Sequence, residues 1–195
     1  MILISTKQVP KEEQHFHAHM LLRRCLQEYG VDYIVDKTPL LFGEHGKPSL
    51  AEYPELHYNI SHADGIAAAM VSAHECGIDC ERIRSYDRRV MKRAFSEREQ
   101  QIVENAVESE RELLFFSLWT LKESYVKALG KGILFPLRKV EFDIECGRIR
   151  TNLNGCRFSR YVIDRDFVVS VCELTGNYGK ILTDELQTSD SYIFI

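Results

Sequence analysis

The feature that most constrains the fold is a long helical pattern near the middle of the chain. Apolar and polar residues follow a helical period from Arg111 to Leu129, and Gly130-Lys131-Gly132 ends the pattern. Short runs that are typical of strands lie on both sides of it. Such a helix buries its apolar face on a sheet, and helices and strands do not alternate strictly along the chain. The pattern therefore predicts an α+β fold.

Shorter patterns define the other elements. Helices are predicted at 12–29, where Gly30 ends the pattern, at 88–94, and after Ser96, which forms a capping-box pattern with Glu99. Strands are predicted at 1–5, 31–37, 57–62, 66–73 and 77–83, and beyond residue 140, for instance at 157–160 and 166–173. The stretch from 38 to 54 is rich in Gly and Pro, which predicts turns.

The composition is that of an ordinary globular protein. The 195 residues are 45% hydrophobic and 28% charged, which suits one domain or two small ones. The net charge of −4 gives nucleic acid no general attraction. The six cysteines form no C-x-x-C pair, and no apolar run approaches the roughly 20 residues that a membrane span needs. With no recognisable signal peptide, we expect a cytoplasmic protein with reduced thiols.

Two motifs about forty residues apart indicate a chemistry. Asp79 and Glu81 are two apart in a strand-like run, so their side chains share one face of that strand. Glu123 and Lys127 are four apart in the long helix and share a helix face, and Lys122 lies directly before Glu123. Mg²⁺ prefers oxygen ligands and is often bound by a few carboxylates together with substrate phosphates. The three carboxylates beside lysines therefore predict a magnesium site for a phosphorylated substrate.

Each motif also has an ordinary structural interpretation. Asp79 and Glu81 are acceptable as solvent-facing strand residues, although the apolar run before them favours a half-buried site. Glu123 and Lys127 are acceptable as an ion pair worth a few tenths of a kcal/mol. A metal-dependent phosphodiesterase or nuclease would also use clustered carboxylates. These residues alone therefore leave the reaction open.

Four segments in a fixed order narrow the choice. They are Gly46-Lys47-Pro48, Asn59-Ile60-Ser61-His62, Gly77-Ile78-Asp79-x-Glu81 and Trp119-x-x-Lys122-Glu123-x-x-x-Lys127-x-x-Gly130-x-Gly132. Each segment is weak alone. Their order and spacing across residues 46–132 resemble the 4′-phosphopantetheinyl transferase superfamily, and specifically its Sfp-type branch. The remaining residues add only a compatible length.

The resemblance implies a fold of two similar α+β halves related by a pseudo-twofold axis, with the active site between them. We expect residues 1–75 to form the N-terminal half and residues 76–195 the half that carries the metal site. It also implies a monomer that moves the 4′-phosphopantetheine arm of coenzyme A onto a serine of an acyl or peptidyl carrier protein. Such a holo-[acyl-carrier-protein] synthase type of reaction needs Mg²⁺ and releases 3′,5′-ADP.

The same resemblance gives individual residues a role. Asp79, Glu81 and Glu123 fall on the metal-binding acids. Glu123 and Lys127 fall on the catalytic positions, where the glutamate helps to deprotonate the carrier serine and the lysine lies near the reacting phosphate. The expected contacts with coenzyme A are Lys47, Ser61, His62, Lys122 and Lys127, with Gly46-Lys47-Pro48 at the adenine end. Candidates for binding the 3′-phosphate are Lys7, Lys11, Arg23 and Arg24.

A basic segment follows the predicted metal strand. Six Arg or Lys residues and a single acid, Asp87, lie between Arg82 and Arg93. Carrier proteins are acidic around the modified serine, so this segment is either their docking surface or a solvated loop without a partner. No nucleic acid or membrane partner is expected. A non-catalytic protein that binds coenzyme A or a carrier stays an alternative, although binding alone would not need all three acids and Lys127.

Overall fold

The structure, a computed structural model, describes residues 1–132, 135–176 and 187–189, and it mixes helices and strands along the chain. The strands are β1 (Ile2–Ser5), β2 (Leu40–Phe42), β3 (Pro48–Leu50), β4 (His57–Ala63), β5 (Ile66–Ser72), β6 (Cys76–Arg82), β7 (Phe142–Glu145), β8 (Arg148–Thr151), β9 (Cys156–Ile163), β10 (Phe167–Leu174) and β11 (Gln187–Ser189). The helices are α1 (Gln14–Gln27), α2 (Arg88–Ala94), α3 (Glu97–Asn105) and α4 (Glu108–Leu129). None of these helices is long and apolar enough to cross a membrane.

Two sheets repeat one topology. The strand order is β1-β5-β4 in the first sheet and β6-β10-β9 in the second, and every pairing is antiparallel. In each sheet the strand that comes first in the chain pairs with the third, and a long helix (α1 or α4) precedes the second. The predicted α+β fold of two similar halves is thus confirmed. The division into residues 1–75 and 76–195 stays a prediction.

Three apolar clusters hold these layers together. Helix α1 packs on the first sheet through residues such as Leu22 and Leu26. Helix α4 packs on the second sheet in a cluster that also includes Met91 of α2 and Val103 of α3. The third cluster lies between the sheets and contains Met70 of the first and Ile78 and Val169 of the second. The two halves therefore share part of their core.

Helix α4 is buried around most of its circumference. It begins at Glu108, three residues before the predicted start, and ends at Leu129. Gly130 caps it with a φ of 64°, the left-handed conformation that glycine adopts without a steric penalty. Its backbone touches β6 directly, because a Cβ built on Gly77 would lie 2.1 Å from the Ser124 carbonyl oxygen. This glycine therefore sets the distance between the two motifs that carry the predicted chemistry.

Two sequence predictions were wrong. The alternating residues 31–37 form a turn instead of a strand: Val31 and Tyr33 are buried as predicted for a strand, but the Ile34 N–H bonds the Thr38 side chain and not a neighbouring strand. The turn-rich stretch 38–54 contains the hairpin of β2 and β3. The capping box is confirmed, since the Ser96 and Glu99 side chains each bond the other residue's backbone N–H.

Candidate active site

Asp79 is the centre of a buried polar cluster where the two halves meet. Its Oδ1 accepts hydrogen bonds from Lys127 Nζ at 2.7 Å and from Ser61 Oγ at 3.1 Å. Its Oδ2 is buried and has no hydrogen-bond partner among the described residues. An unpaired buried carboxylate oxygen is costly unless a donor or a cation meets it. The arrangement therefore fits a bound cation on the Oδ2 side.

Side chains from β4 join this strand to β6. Asn59 Oδ1 accepts the N–H of Ile78 at 2.9 Å, and Ser61 Oγ accepts the N–H of Cys80 at 3.2 Å. The N–H groups of Ile78 and Cys80 point away from β10, so they need acceptors other than a neighbouring strand of their own sheet. Asn59 and Ser61 are two apart on β4, share one face of that strand and supply these acceptors. Ser61 thus positions Asp79, and its predicted contact with a phosphate stays a prediction.

Glu81 and Glu123 lie beside Asp79, whose negative charge contributes to the raised pKa of each. Burial raises the pKa of Glu123 to about 7, and the charges of Asp79 and Glu81 add to the effect, which Lys127 opposes. Burial and Asp79 also raise the pKa of Glu81, although a 3.0 Å hydrogen bond from Arg84 opposes this. The structure thus brings the three predicted acids together. Because the charge of Asp79 disfavours the ionisation of Glu81 and Glu123, a cation among the acids would stabilise the charged forms of these two glutamates.

Lys127 connects the helix to this cluster. Besides its bond to Asp79, its ammonium group donates to Ser61 Oγ at 3.0 Å and to the carbonyl oxygen of Ile78 at 3.1 Å. Burial lowers the pKa of Lys127, but the charge and hydrogen bond of Asp79 outweigh burial and leave the pKa above its usual value. This lysine is therefore a charged group directly beside the predicted metal-binding acids.

The acids fit a magnesium ion only in part. No group of three His, Cys, Asp or Glu side chains within 1–132, 135–176 and 187–189 is arranged to hold a metal ion. Mg²⁺ typically binds through one or two carboxylates and completes its shell with water and substrate phosphates. The free Oδ2 of Asp79 and the mutual repulsion of the acids agree with such an incomplete site. Asp79 is the acid with an oxygen free for the ion, and Glu81 and Glu123 stay the predicted further ligands.

Lys122 does not join this cluster, which corrects its prediction as a contact with coenzyme A. Its side chain is 0% exposed, and its Nζ lies 2.8 Å from Glu99 Oε2. The same ammonium group donates to the carbonyl oxygens of Leu137 and Val140. Burial lowers the pKa of Lys122, whereas Glu99 raises it. With these bonds inside the core, the ammonium group is not available to a phosphate.

Lys47 ties the two halves together at the other end of α4. Its ammonium group bonds Glu75 Oε2 at 2.5 Å, the Ala128 carbonyl oxygen at 2.7 Å and the Cys76 carbonyl oxygen at 3.1 Å. A cleft of about 320 Å³ is lined by Lys47 and Pro48 on one side and by Gly130 on the other. The cleft agrees with the predicted place of Gly46-Lys47-Pro48 beside a ligand. However, the lysine charge is already bound within the protein.

His62 lies apart from the acids. It is exposed at the end of β4, and its ring contacts His15 of α1 at a centroid distance of 5.6 Å. Its neighbour Ser61 faces β6, and successive strand residues point to opposite faces. Four of the predicted site residues therefore lie around Asp79, namely Ser61, Glu81, Glu123 and Lys127. Lys47 and His62 lie at the margins of this group, and Lys122 lies in the core.

Comparison with known proteins identifies the family of this chain. Residues 75–172, about half of the chain, match the family model described as the 4′-phosphopantetheinyl transferase superfamily. This chain belongs to that superfamily. The match covers β6 and α4 with Asp79, Glu81, Glu123 and Lys127, whereas Lys47, Ser61 and His62 precede it. The superfamily model therefore covers the three acids and Lys127 of the candidate site and not its margins.

Relatives over most of the chain place this superfamily member in the Sfp-type branch. The 4′-phosphopantetheinyl transferase psf-1 of Bacillus pumilus is 31% identical over 85% of this chain and 74% of its own length. The 4′-phosphopantetheinyl transferase Sfp of Bacillus subtilis is 26% identical over 94% of this chain and 88% of its own length. The solved holo-[acyl-carrier-protein] synthase of Thermotoga maritima aligns with 53% of this chain and 64% of its own, with a TM-score of 0.45 and 23% identity.

Sequence reasoning missed Asn59 as a residue that organises the site and Glu99 as the partner that keeps Lys122 in the core. Asn59 was noted only as part of a motif, and Glu99 only as a helix cap. Lys122 gave a usable signal, because it lies four residues after Leu118 and three before Tyr125, both of which are buried. A lysine on the apolar stripe of a helix needs a buried partner. That partner is Glu99.

Proposed function

We propose that this chain transfers the 4′-phosphopantetheine arm of coenzyme A to a serine of an acyl or peptidyl carrier protein, a Mg²⁺-dependent reaction of the holo-[acyl-carrier-protein] synthase type. One observation carries the proposal: Glu81, Glu123 and Lys127 lie around Asp79, and all four residues fall inside the matched residues 75–172. A monomer, a cytoplasmic location and the absence of nucleic-acid binding stay predictions.

The reaction exchanges one P–O bond for another. The serine Oγ attacks the β-phosphorus of coenzyme A, the bond from that phosphorus to the oxygen of the nucleotide breaks, and 3′,5′-ADP leaves. Mg²⁺, held by Asp79, Glu81 and Glu123, would offset negative charge on the diphosphate. The ammonium group of Lys127 is close enough to Asp79 to add a second positive charge there.

Glu123 is the residue proposed to accept the serine proton. The pKa of about 7 belongs to the site without an ion. A bound cation would favour the ionised carboxylate, which is the form that accepts a proton. The carboxyl group also lines an apolar cleft of about 340 Å³, whose other walls include Trp119, Val126 and Phe135. A serine on an approaching protein could therefore reach Glu123 through this cleft, where apolar walls favour proton transfer.

Mass spectrometry of an apo carrier protein tests the proposal. With coenzyme A and Mg²⁺, the carrier mass should rise by one phosphopantetheine group on its serine. The gain should disappear on chelation and fall by 100-fold or more in rate for Glu123→Gln, by loss of the base and of a metal ligand. Glu108→Gln, at the exposed start of the same helix, is the matched control. No gain with any carrier of a broad panel would contradict transfer and favour the non-catalytic alternative.

A further inference from the structure

Three residues of the second sheet form a row beneath helix α4. In the strand register, Asp79 of β6 lies opposite Ser170 of β10, and Ser170 lies opposite Arg160 of β9. Residues that lie opposite each other in antiparallel strands point to the same side of the sheet. Val169 and Val171, on either side of Ser170, point the other way into the apolar cluster between the two sheets. The side chains of Asp79, Ser170 and Arg160 therefore all point towards α4.

Each member of this row contacts one residue of α4. From β6 to β9, the three contacts are Asp79 with Lys127 at 2.7 Å, Ser170 with Thr120 at 2.8 Å, and Arg160 with Ser117 at 2.6 Å. The order of the contacts along the helix is thus the order of the strands across the sheet. Ser117, Thr120 and Ser170 are each 0% exposed, so these hydroxyl groups bond inside the core. We call the six residues the polar row.

The hydroxyl groups of α4 are the acceptors in the polar row. Thr120 Oγ1 donates to the Phe116 carbonyl oxygen at 2.8 Å, and Ser117 Oγ donates in the same way to the carbonyl oxygen four residues before it, at 2.7 Å. A hydroxyl group has one proton, so each of these two accepts from the sheet. The donors are the hydroxyl group of Ser170 and the guanidinium group of Arg160. This pairing fixes which helix residue faces which strand.

Stability alone does not explain polar groups at this place. The interface of α4 with the sheet is mostly apolar and includes Leu118, Leu121 and Tyr125. Replacing both partners of a buried hydrogen bond by apolar groups of the same shape is nearly neutral for stability. Burial lowers the pKa of Arg160, and no charged neighbour in the described part of the chain offsets this. The polar row therefore adds little stability, but it defines one position of the helix on the sheet.

We propose that the polar row positions α4 for the transfer reaction, with Ser170 and Arg160 as positioning residues that act through the hydroxyl groups of the helix. The inference rests on the proposed function, because the rate that it explains is the rate of transfer. Glu123 and Lys127 follow Thr120 by about one and two turns on the same helix face. A shift of the helix would move both of them relative to the acids on β6. A misplacement of about 1 Å can lower a rate by about 100-fold.

The double variant Thr120→Val with Ser170→Ala tests positioning against a structural role. It removes one contact of the polar row without leaving a buried hydroxyl group unpaired, so its midpoint of urea unfolding should stay close to that of the wild type. Its kcat for carrier modification should nevertheless fall by about 10- to 100-fold, and the KM for coenzyme A should change much less. Thr120→Ser keeps the hydroxyl group and should keep most of the kcat. A wild-type kcat in the folded double variant would overturn the proposal.

Arg160 is tested by a pair of variants of similar length. Arg160→Lys keeps a donor for the Ser117 hydroxyl group and should keep most of the kcat, whereas Arg160→Met has no donor and should lower it. Ser124→Ala is the matched control, because the Ser124 hydroxyl group bonds the Leu121 carbonyl oxygen of its own helix at 2.8 Å. Its kcat should match that of the wild type. Equal kcat values of the Arg160→Lys and Arg160→Met variants would overturn the role of Arg160.

Trp119 reports the position of α4 without any reaction. It is the single tryptophan of the chain and lines the cleft beside Glu123. Its emission maximum and its quenching by acrylamide should change in Thr120→Val with Ser170→Ala and in Arg160→Met, and they should match the wild type in Ser124→Ala. A lower kcat with unchanged Trp119 fluorescence would overturn the proposal, since the helix would not have moved.

The two proposals fail in different ways. A wild type that modifies no carrier protein would overturn the proposed function, and the fluorescence of Trp119 would still show whether the polar row positions α4. Transfer at the full wild-type rate by Thr120→Val with Ser170→Ala would overturn the role of the polar row and leave the proposed function intact.

Discussion

At the scale of single residues, Glu123 shows how burial and neighbouring charges raise the pKa of a carboxyl group to about 7. Its carboxyl group lies beside Asp79 and Glu81, and burial is the largest cause of its raised pKa. Lys127 opposes the rise but is itself bound to Asp79. Glu123 therefore holds a proton at a pH where an exposed glutamate would have lost it, and a cation in the site would release that proton.

This raised pKa predicts a pH dependence of stability for the metal-free protein. Between pH 4.5 and about 7 the folded protein keeps a proton on Glu123 that the unfolded chain releases. The contribution of this group to the free energy of unfolding is therefore fully present below pH 4.5 and lost as the pH rises through about 7. Added Mg²⁺ should stabilise the protein more at pH 8 than at pH 5.

Urea unfolding of the wild type and of Glu123→Gln, measured from pH 4.5 to 8, isolates the effect. The glutamine variant cannot titrate, so its stability relative to the wild type should increase with pH. A constant difference between the two proteins would show that Glu123 does not carry the dependence.

The neighbours Lys122 and Glu123 show how far the sequence could predict the site. The spacing of Glu123 and Lys127 placed both on one helix face, and the structure brings both beside Asp79. For Lys122 the resemblance suggested a phosphate contact, although its place between Leu118 and Tyr125 indicated a buried face. Its partner Glu99 comes from another helix, and a contact between helices depends on packing that one sequence does not encode locally.

At the scale of elements, the distance between β6 and α4 depends on Gly77. A side chain at this position would meet the Ser124 carbonyl oxygen at 2.1 Å and the Ala128 nitrogen at 2.4 Å, both of them backbone atoms that cannot rotate away. Gly77→Ala should therefore lower the free energy of unfolding by about 1–3 kcal/mol or more through overpacking. It should also lower activity, because Lys127 and Asp79 would move apart.

Chemical denaturation and the carrier assay measure these two effects. Gly176→Ala is the matched control, since a Cβ at Gly176 would meet nothing within 4 Å. If Gly77→Ala were as stable and active as this control, the direct packing of α4 on β6 would be wrong.

The buried pair of Lys122 and Glu99 fixes α4 to α3. Lys122→Met leaves the Glu99 carboxylate in the core without its cation, which should cost about 3–5 kcal/mol of stability. The double variant Lys122→Met with Glu99→Gln should lose less stability than the sum of the losses in the two single variants, because neither charge is left in the core without its partner. Urea unfolding of the four proteins gives this coupling energy directly.

The Michaelis constants provide a second readout for the same variant. The KM for coenzyme A of folded Lys122→Met should match that of the wild type, since the ammonium group does not face the cleft. A large rise in this KM without a loss of stability would restore the original assignment of Lys122 to phosphate binding.

At the scale of the whole molecule, the basic segment from Arg82 to Arg93 has fewer free charges than its sequence suggests. Arg82 bonds Asp64 and Arg84 bonds Glu81, each at 3.0 Å. Arg89 bonds Asp87 at 2.7 Å, although 91% of its side chain is exposed. Helix α2 also presents Val90 and Arg93 to the apolar cleft beside Glu123. The segment therefore borders the cleft at Glu123, and it stays the predicted docking surface for a carrier protein.

Reversing charge on α2 tests this docking surface. Arg88→Glu with Arg89→Glu should raise the KM for an acidic carrier severalfold at low salt, with a smaller effect at high salt, because opposite charges speed encounter. The KM for coenzyme A should not change. Arg148→Glu with Arg150→Glu, both at exposed positions of β8, alters the net charge equally away from this segment. Equal effects of the two double variants on the carrier KM would rule out specific docking.

The fold was predictable in outline because its strands and helices bury apolar residues with clear periods. Runs such as Ile66–Ser72 form buried strands as predicted, and α2 matches its predicted bounds. The hairpin of β2 and β3 was missed since it has three residues in each strand, Leu41 and Phe42 are exposed, and Gly and Pro dominate its surroundings. The formation of such a short hairpin depends on its packing against the rest of the molecule, and the local sequence pattern does not indicate it.

The contacts of Lys47 also imply an order of assembly. Two of its partners, Glu75 and Cys76, follow within 29 residues, but the carbonyl oxygen of Ala128 lies 81 residues further along the chain. During synthesis, the loop before β3 can therefore reach its first two partners long before the last turn of α4 exists. Long-range closures of this kind form late and slowly. The cleft between Lys47 and Gly130 is thus completed only after helix α4 has docked. The same docking brings Glu123 and Lys127 to Asp79, so the cleft and the acid cluster form together.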